Sequence, residues 1–104
     1  MAPSAKSPRS LHVGDLEISP DRHIATVAHI PLHLTKSEFA ILQTLALQAG
    51  RAVARSDIKR ALGEDYSARA LESHISRLRL KLRNAGTANV ITPVRHRGYR
   101  LEAR

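Results

Sequence analysis

Nine lysine and arginine side chains lie between Ser67 and Arg104 against two acids, Glu72 and Glu102, and eight of the nine are arginine. Residues 1–66 carry eight basic against seven acidic residues, so almost all of the net charge of +8 belongs to the last third of the 104-residue chain. Arginine presents a planar fork that grips phosphates and base edges, whereas charge needed only for solubility would be scattered and richer in lysine. The chemistry this implies is the binding of a polyanion. An anionic membrane is a poorer fit, because a membrane-lying helix needs an exposed face of bulky apolar anchors and the basic region offers only Leu80.

Much of that charge sits in the stretch from Ser67 to Arg83. Leu71, Ile75, Leu78 and Leu82 recur at helical spacing and form one narrow apolar stripe, which must face a core. Arg69, Ala70, Ser73, Arg77 and Leu80 then point away from it, with Ser76 and Lys81 on opposite shoulders and Arg79 nearer the core edge. Short residues near the helix start, followed by arginines, suit a helix whose backbone enters a DNA major groove. The same pattern also suits a solvated basic surface helix, and the helix alone leaves both readings open.

Other chemistries find less support. With no cysteine, the chain has no disulfide framework, thiolate metal site or cysteine nucleophile. Ser73, His74 and Ser76 lie close together in sequence, but adjacent helical residues point about 100° apart and no acid pairs naturally with them. His12, His23, His29 and His33 invite a metal reading; along a strand, however, His29 and His33 would stand about 13 Å apart, too far to share an ion. No catalytic residue, metal or cofactor is therefore expected. Only Phe39, Tyr66 and Tyr99 are aromatic, which leaves no stacking platform for single-stranded nucleic acid.

The elements that must position the basic helix can be read in order. Residues 1–9, broken by Pro3 and Pro8, are expected to be a disordered tail or linker, and residues 10–104 one domain. From Leu11 to Leu34 short apolar pieces alternate with turn signals, as in four antiparallel strands. Thr35 and Glu38 make a capping box, flanked by Leu34 and Phe39 as a hydrophobic staple. The helix they start buries Phe39, Leu42, Leu45 and Ala46, with Ile41 on its flank, and should stop with Gly50 at its C′ position. Arg55 to Leu62 reads as a two-turn helix burying Ile58, Ala61 and Leu62. The tight link after Gly63 makes it and the basic helix a helix-turn-helix. Asn84-Ala85-Gly86 should end the basic helix, and VITPV then pairs with YRLE across a tip at Arg95-His96-Arg97-Gly98, with Pro93 on an outward edge. No apolar run reaches membrane-spanning length and the start lacks the apolar segment of a signal peptide, so a cytoplasmic location is expected.

Three motifs resemble one known family: LTKSEFAIL, the run R-x-L-E-x-H-I-x-x-L-R-x-K-L from Arg69 to Leu82, and VRHRGYRL. They are similar to the winged-helix effector domain of OmpR/PhoB-type response regulators, over roughly Leu11 to Leu101. The resemblance implies an α+β fold with an N-terminal four-stranded sheet, three helices and a C-terminal hairpin wing. It implies sequence-specific binding of double-stranded DNA by a transcription regulator of a two-component phosphorelay, with helix 67–83 in the major groove and wing 90–102 at the minor groove. Carried over by position, Arg77 faces base edges with Ala70 and Ser73 beside it. Arg69, His74, Ser76 and Arg79 approach phosphates, and Arg95 enters the minor groove. Lys81 joins this set from its shoulder, and Arg97 from the wing compensates for Ser76, where many members carry a basic residue. Segment 62–67 matches a loop that in some members touches RNA polymerase, and members often bind tandem sites as DNA-dependent pairs. His96 and Pro93 replace a glycine and a threonine of the family pattern, so the tip is expected to turn differently. The sequence contains no phospho-accepting receiver domain, as expected either of an excised effector domain, which the linker-like start favours, or of a regulator with another input. A winged helix that contacts protein instead of DNA remains the alternative.

Overall fold

Turns and alternation set the N-terminal part of the computed structural model, which describes residues 10–63 and 66–103. The tail 1–9 and the loop acids Glu64 and Asp65 lie outside the described residues. Strands β1 (Leu11–Val13), β2 (Leu16–Ser19), β3 (Ile24–Val27) and β4 (Ile30–Pro31) form an antiparallel sheet in the order β1-β2-β3-β4. Leu16 pairs with Val27 and Ile18 with Ala25, which puts four buried side chains on one face. That face meets the helices.

Helix α1 (Lys36–Leu47) starts at the expected capping box: the Glu38 N–H donates to Thr35 Oγ1 at 3.1 Å, and the Thr35 N–H donates to Glu38 Oε1 at 3.0 Å. Phe39, Ile41, Leu42, Leu45 and Ala46 are buried as the spacing required, and Leu34 packs against the same core. The end differs slightly from expectation. The C-cap is Gln48, so Gly50 comes two residues after the cap rather than one, and its N–H donates to Leu101 O at 2.8 Å. Gly50 thus ties the helix exit to the C-terminal sheet.

Helix α2 (Arg55–Leu62) has the predicted span and ends at Gly63 in the left-handed region. Only Ile58 is fully buried; Leu62 is half-buried and Ala61 is exposed, because so short a helix turns a single full row toward α1. Helix α3 (Ala68–Ala85) uses Ser67 as N-cap, its hydroxyl accepting from the Ala70 N–H at 3.1 Å, and stops at Gly86 with φ 79°. Leu71, Ile75, Leu78 and Leu82 all face the core.

The chain closes with a second sheet. Strands β6 (Asn89–Val94) and β7 (Gly98–Ala103) form the expected hairpin, and β5 (Ala52–Val53), read from sequence only as an extended step, pairs with β7. The order is β5-β7-β6, so β7 is central and β6, which carries the exposed Pro93, is an edge. At the hairpin base Asn89, 2% exposed, donates from Nδ2 to Val13 O at 2.7 Å, while Thr87 Oγ1 donates to Asp15 Oδ1 at 2.6 Å. These bonds join the two sheets. No helix among the described residues is long and apolar enough to cross a membrane.

Candidate nucleic-acid interface

Because the leucine-isoleucine stripe of α3 is sealed against the core, its opposite face must look outward. Arg69, Ser73, Ser76, Arg77 and Arg79 are all exposed, and Ala70, in the first turn, is half-buried. Leu80 stands 51% exposed on the same side. In the hairpin, Arg95, His96 and Arg97 form an exposed tip. Among the described residues none of the arginines at 69, 77, 79, 95 and 97 has a carboxylate within 4.0 Å. Their charge is therefore uncompensated and available to an external anion.

Two side chains expected in this set point elsewhere. Lys81 turns from its shoulder toward α1, donating from Nζ to Glu38 Oε1 at 2.6 Å and to His33 O at 2.9 Å. A buried carboxylate needs a counter-charge more than an exposed phosphate site needs one more cation, so Lys81 is corrected from a DNA contact to a brace between α1 and α3. Burial opposes ionisation of Glu38, but the bonds from Lys81 and Thr35 outweigh it and hold the carboxyl below its usual range. His74 is half-buried, with Nδ1 enclosed and its ring tilted against Tyr66 at 5.4 Å between centroids. The Tyr66 hydroxyl in turn shares a hydrogen bond with Ser37 Oγ at 3.1 Å. His74 is thus first a packing residue of the helix-turn-helix joint rather than a freely presented phosphate ligand.

The wing is held by contact as well as by hydrogen bonds. A Cβ on Gly98 would lie 1.9 Å from Val53 O, and its φ is 127°, so only glycine lets β7 approach β5 this closely. Next to it, the Arg55 guanidinium stacks over the Tyr99 ring at 5.1 Å and reaches Glu72 on α3 at 4.0 Å. Arg55 therefore links α2, α3 and the wing. The sequence reading did not single it out; its only signal was an arginine at the first position of α2, indistinguishable there from a solvated charge.

The turn at the tip departs from a glycine-based one. The Arg97 N–H donates to Val94 O at 2.9 Å, and His96, with φ 63°, occupies the third position of that turn. A type II turn places glycine or asparagine at this position. Among the described residues, no three His, Asp or Glu side chains converge in a way that could hold a metal ion.

Comparison with known proteins agrees with this architecture. Residues 29–101 match the family model described as "Transcriptional regulatory protein, C terminal". The transcriptional regulatory protein RstA of Escherichia coli K12 is 36% identical over 95 residues, which cover 88% of this chain and 40% of RstA. The chain thus spans about two-fifths of the length of such relatives. Among solved structures, the DNA-binding domain of the response regulator AdeR, in complex with an intercistronic region, superposes with a TM-score of 0.81 at 30% identity, covering 89% of this chain and 99% of that one. The RstA DNA-binding domain of Klebsiella pneumoniae, in complex with the RstA box, gives 0.77 at 29% identity over 90% of this chain and 97% of that one. With the four-stranded sheet, three helices and pinned hairpin, these matches place the chain in the family of transcriptional regulatory protein C-terminal domains, as a winged-helix effector domain of the OmpR/PhoB response-regulator type.

Proposed function

We propose that this domain binds double-stranded DNA sequence-specifically for a transcription regulator, with α3 in the major groove and the β6–β7 wing at the minor groove. The observation that carries this reading is the set of exposed arginines without carboxylate partners among the described residues, shared between α3 and the tip of a hairpin packed beside it. Phosphate neutralisation supplies most of the affinity, through Arg69, Arg79 and Arg97 with the Ser76 hydroxyl. Arg77, beside the small Ala70 and Ser73, supplies base discrimination, and Arg95 reaches the minor groove. Relatives of this family support the same assignment, as AdeR and RstA domains have been captured on DNA. On this reading the domain works in the cytoplasm and pairs in tandem on its operator. Contact with RNA polymerase would fall to loop 62–67, whose acids lie outside the described residues.

Selection from a random duplex pool tests the proposal. An enriched motif held more than about a thousandfold tighter than a scrambled duplex is expected, with affinity falling steeply as salt rises. Arg77→Ala should weaken the selected site by about 1 to 3 kcal/mol and relax one base pair. Absence of any motif, with weak and uniform binding, would replace this reading with a winged helix that serves a protein partner.

A further inference from the structure

The tip of the wing holds a residue that neither the fold nor the arginine set explains. The turn is closed by Arg97 N–H to Val94 O, and its three residues, Arg95, His96 and Arg97, are all exposed. His96 sits at a positive φ of 63°, a conformation that glycine adopts without strain and an imidazole does not. Other non-glycine residues with such φ, His23, Ala28 and His29, lie in turns of the N-terminal sheet. Only at position 96 does the strained backbone display a titratable ring between two arginines. Strain that persists where glycine would remove it points to a use for the side chain.

The surroundings define that use. No acid belongs to the turn, and among the described residues the carboxylates of the elements that hold the wing are engaged elsewhere: Glu102 of β7 with Arg100 at 3.2 Å, and Glu72 of α3 with Arg55 at 4.0 Å. The charged groups beside His96 in the turn are Arg95 and Arg97, both cationic. Among the described residues no carboxylate lies within 4.0 Å of His96 to offer a counter-charge to an imidazolium at the tip. A narrow minor groove offers a concentrated one, since phosphates on both sides focus negative potential onto inserted Arg, Lys or His side chains.

We propose that His96 joins Arg95 as a groove-contacting cation of the wing, which takes up a proton as the tip enters the minor groove and so links DNA affinity to pH. The inference rests on the DNA-binding reading above. Imidazole is the side chain that ordinarily changes charge near neutrality, so the linkage is sought between about pH 6 and about pH 8. Arg95 and Arg97 stay charged throughout and hold the tip in the groove at any pH; His96 adds a graded increment. It is a specificity device as well, because the increment is largest where the groove is narrowest.

The test is a titration of the full chain with its selected duplex at about pH 6 and about pH 8, at fixed ionic strength, for wild type, His96→Gln, His96→Lys and His74→Gln. Binding by the wild type should be about fivefold tighter at the lower pH. His96→Gln should lose most of this difference while folding normally, since the tip is exposed. His96→Lys should bind tightly at both pH values, and His74→Gln should keep the wild-type pH response. Equal pH responses in wild type and His96→Gln would overturn the proposal while leaving the DNA-binding reading intact. Failure of the wild type to bind any selected duplex at either pH would remove both.

Discussion

Arg79 and Lys81 are two positions apart on one helix and have opposite roles, because two residues turn the side chain by about 200°. Arg79 is exposed and has no carboxylate partner among the described residues, whereas Lys81 is committed to Glu38. On the DNA-binding reading, Arg79→Ala should lower the salt dependence of binding by about one phosphate contact and barely change stability. Lys81→Ala should do the reverse, leaving a buried carboxylate unpaired at a cost of about 2 to 3 kcal/mol in urea unfolding. A reduced salt slope for Lys81→Ala with unchanged stability would return that lysine to the phosphate contacts. Periodicity could place Lys81 on a shoulder but not choose its direction. The choice was made by Glu38, 43 residues earlier, whose capping role was legible and whose burial was not.

At the level of elements, helix starts and stops were readable because their signals are local. Thr35 with Glu38, and Ser67, Gly63 and Gly86, mark boundaries through bonds that span three or four residues. The pairing of β5 with β7 was not readable, since two residues carry no period and the partner is more than forty positions away. Gly98 shows the same limit. It looks like a turn glycine, yet the turn position is held by His96, and Gly98 is required by the approach of Val53. Gly98→Ala is therefore expected to destabilise by more than about 2 kcal/mol and to loosen the wing, combining a backbone clash with a disfavoured φ. Denaturant midpoints together with hydrogen exchange at β5 and β7 check this. Wild-type protection at both strands in the variant would show that the close approach is dispensable.

For the molecule as a whole, the Glu38–Lys81 pair makes stability depend on acid. The carboxyl of Glu38 is held below its usual range in the folded domain, burial being outweighed by the Lys81 and Thr35 bonds. Its contribution is therefore fully present above the unfolded carboxylate range, about pH 4 to 5, and is lost as pH falls through the lower folded value. Thermal unfolding followed from neutral to acid pH should show a steeper loss for wild type than for Glu38→Gln, which begins less stable and falls less. Parallel curves would mean that other carboxylates dominate the acid response. Net charge adds to the effect, since a chain already at +8 becomes more positive as its carboxylates lose their charge in acid.

The close seat of Gly98 on Val53 also bears on the grammar of any operator. β7 is paired between β5 and β6, and Arg55 links its base to α2 and α3, so the wing is anchored to the helices at its base. Helix and tip behave as the two jaws of a set caliper. A base pair inserted between the step that one jaw reads and the step that the other reads would shift it by about 3.4 Å and rotate it around the duplex. On the DNA-binding reading a caliper anchored in this way resists opening, so functional sites are expected to vary in the identity of the bases more than in the interval between the two readings.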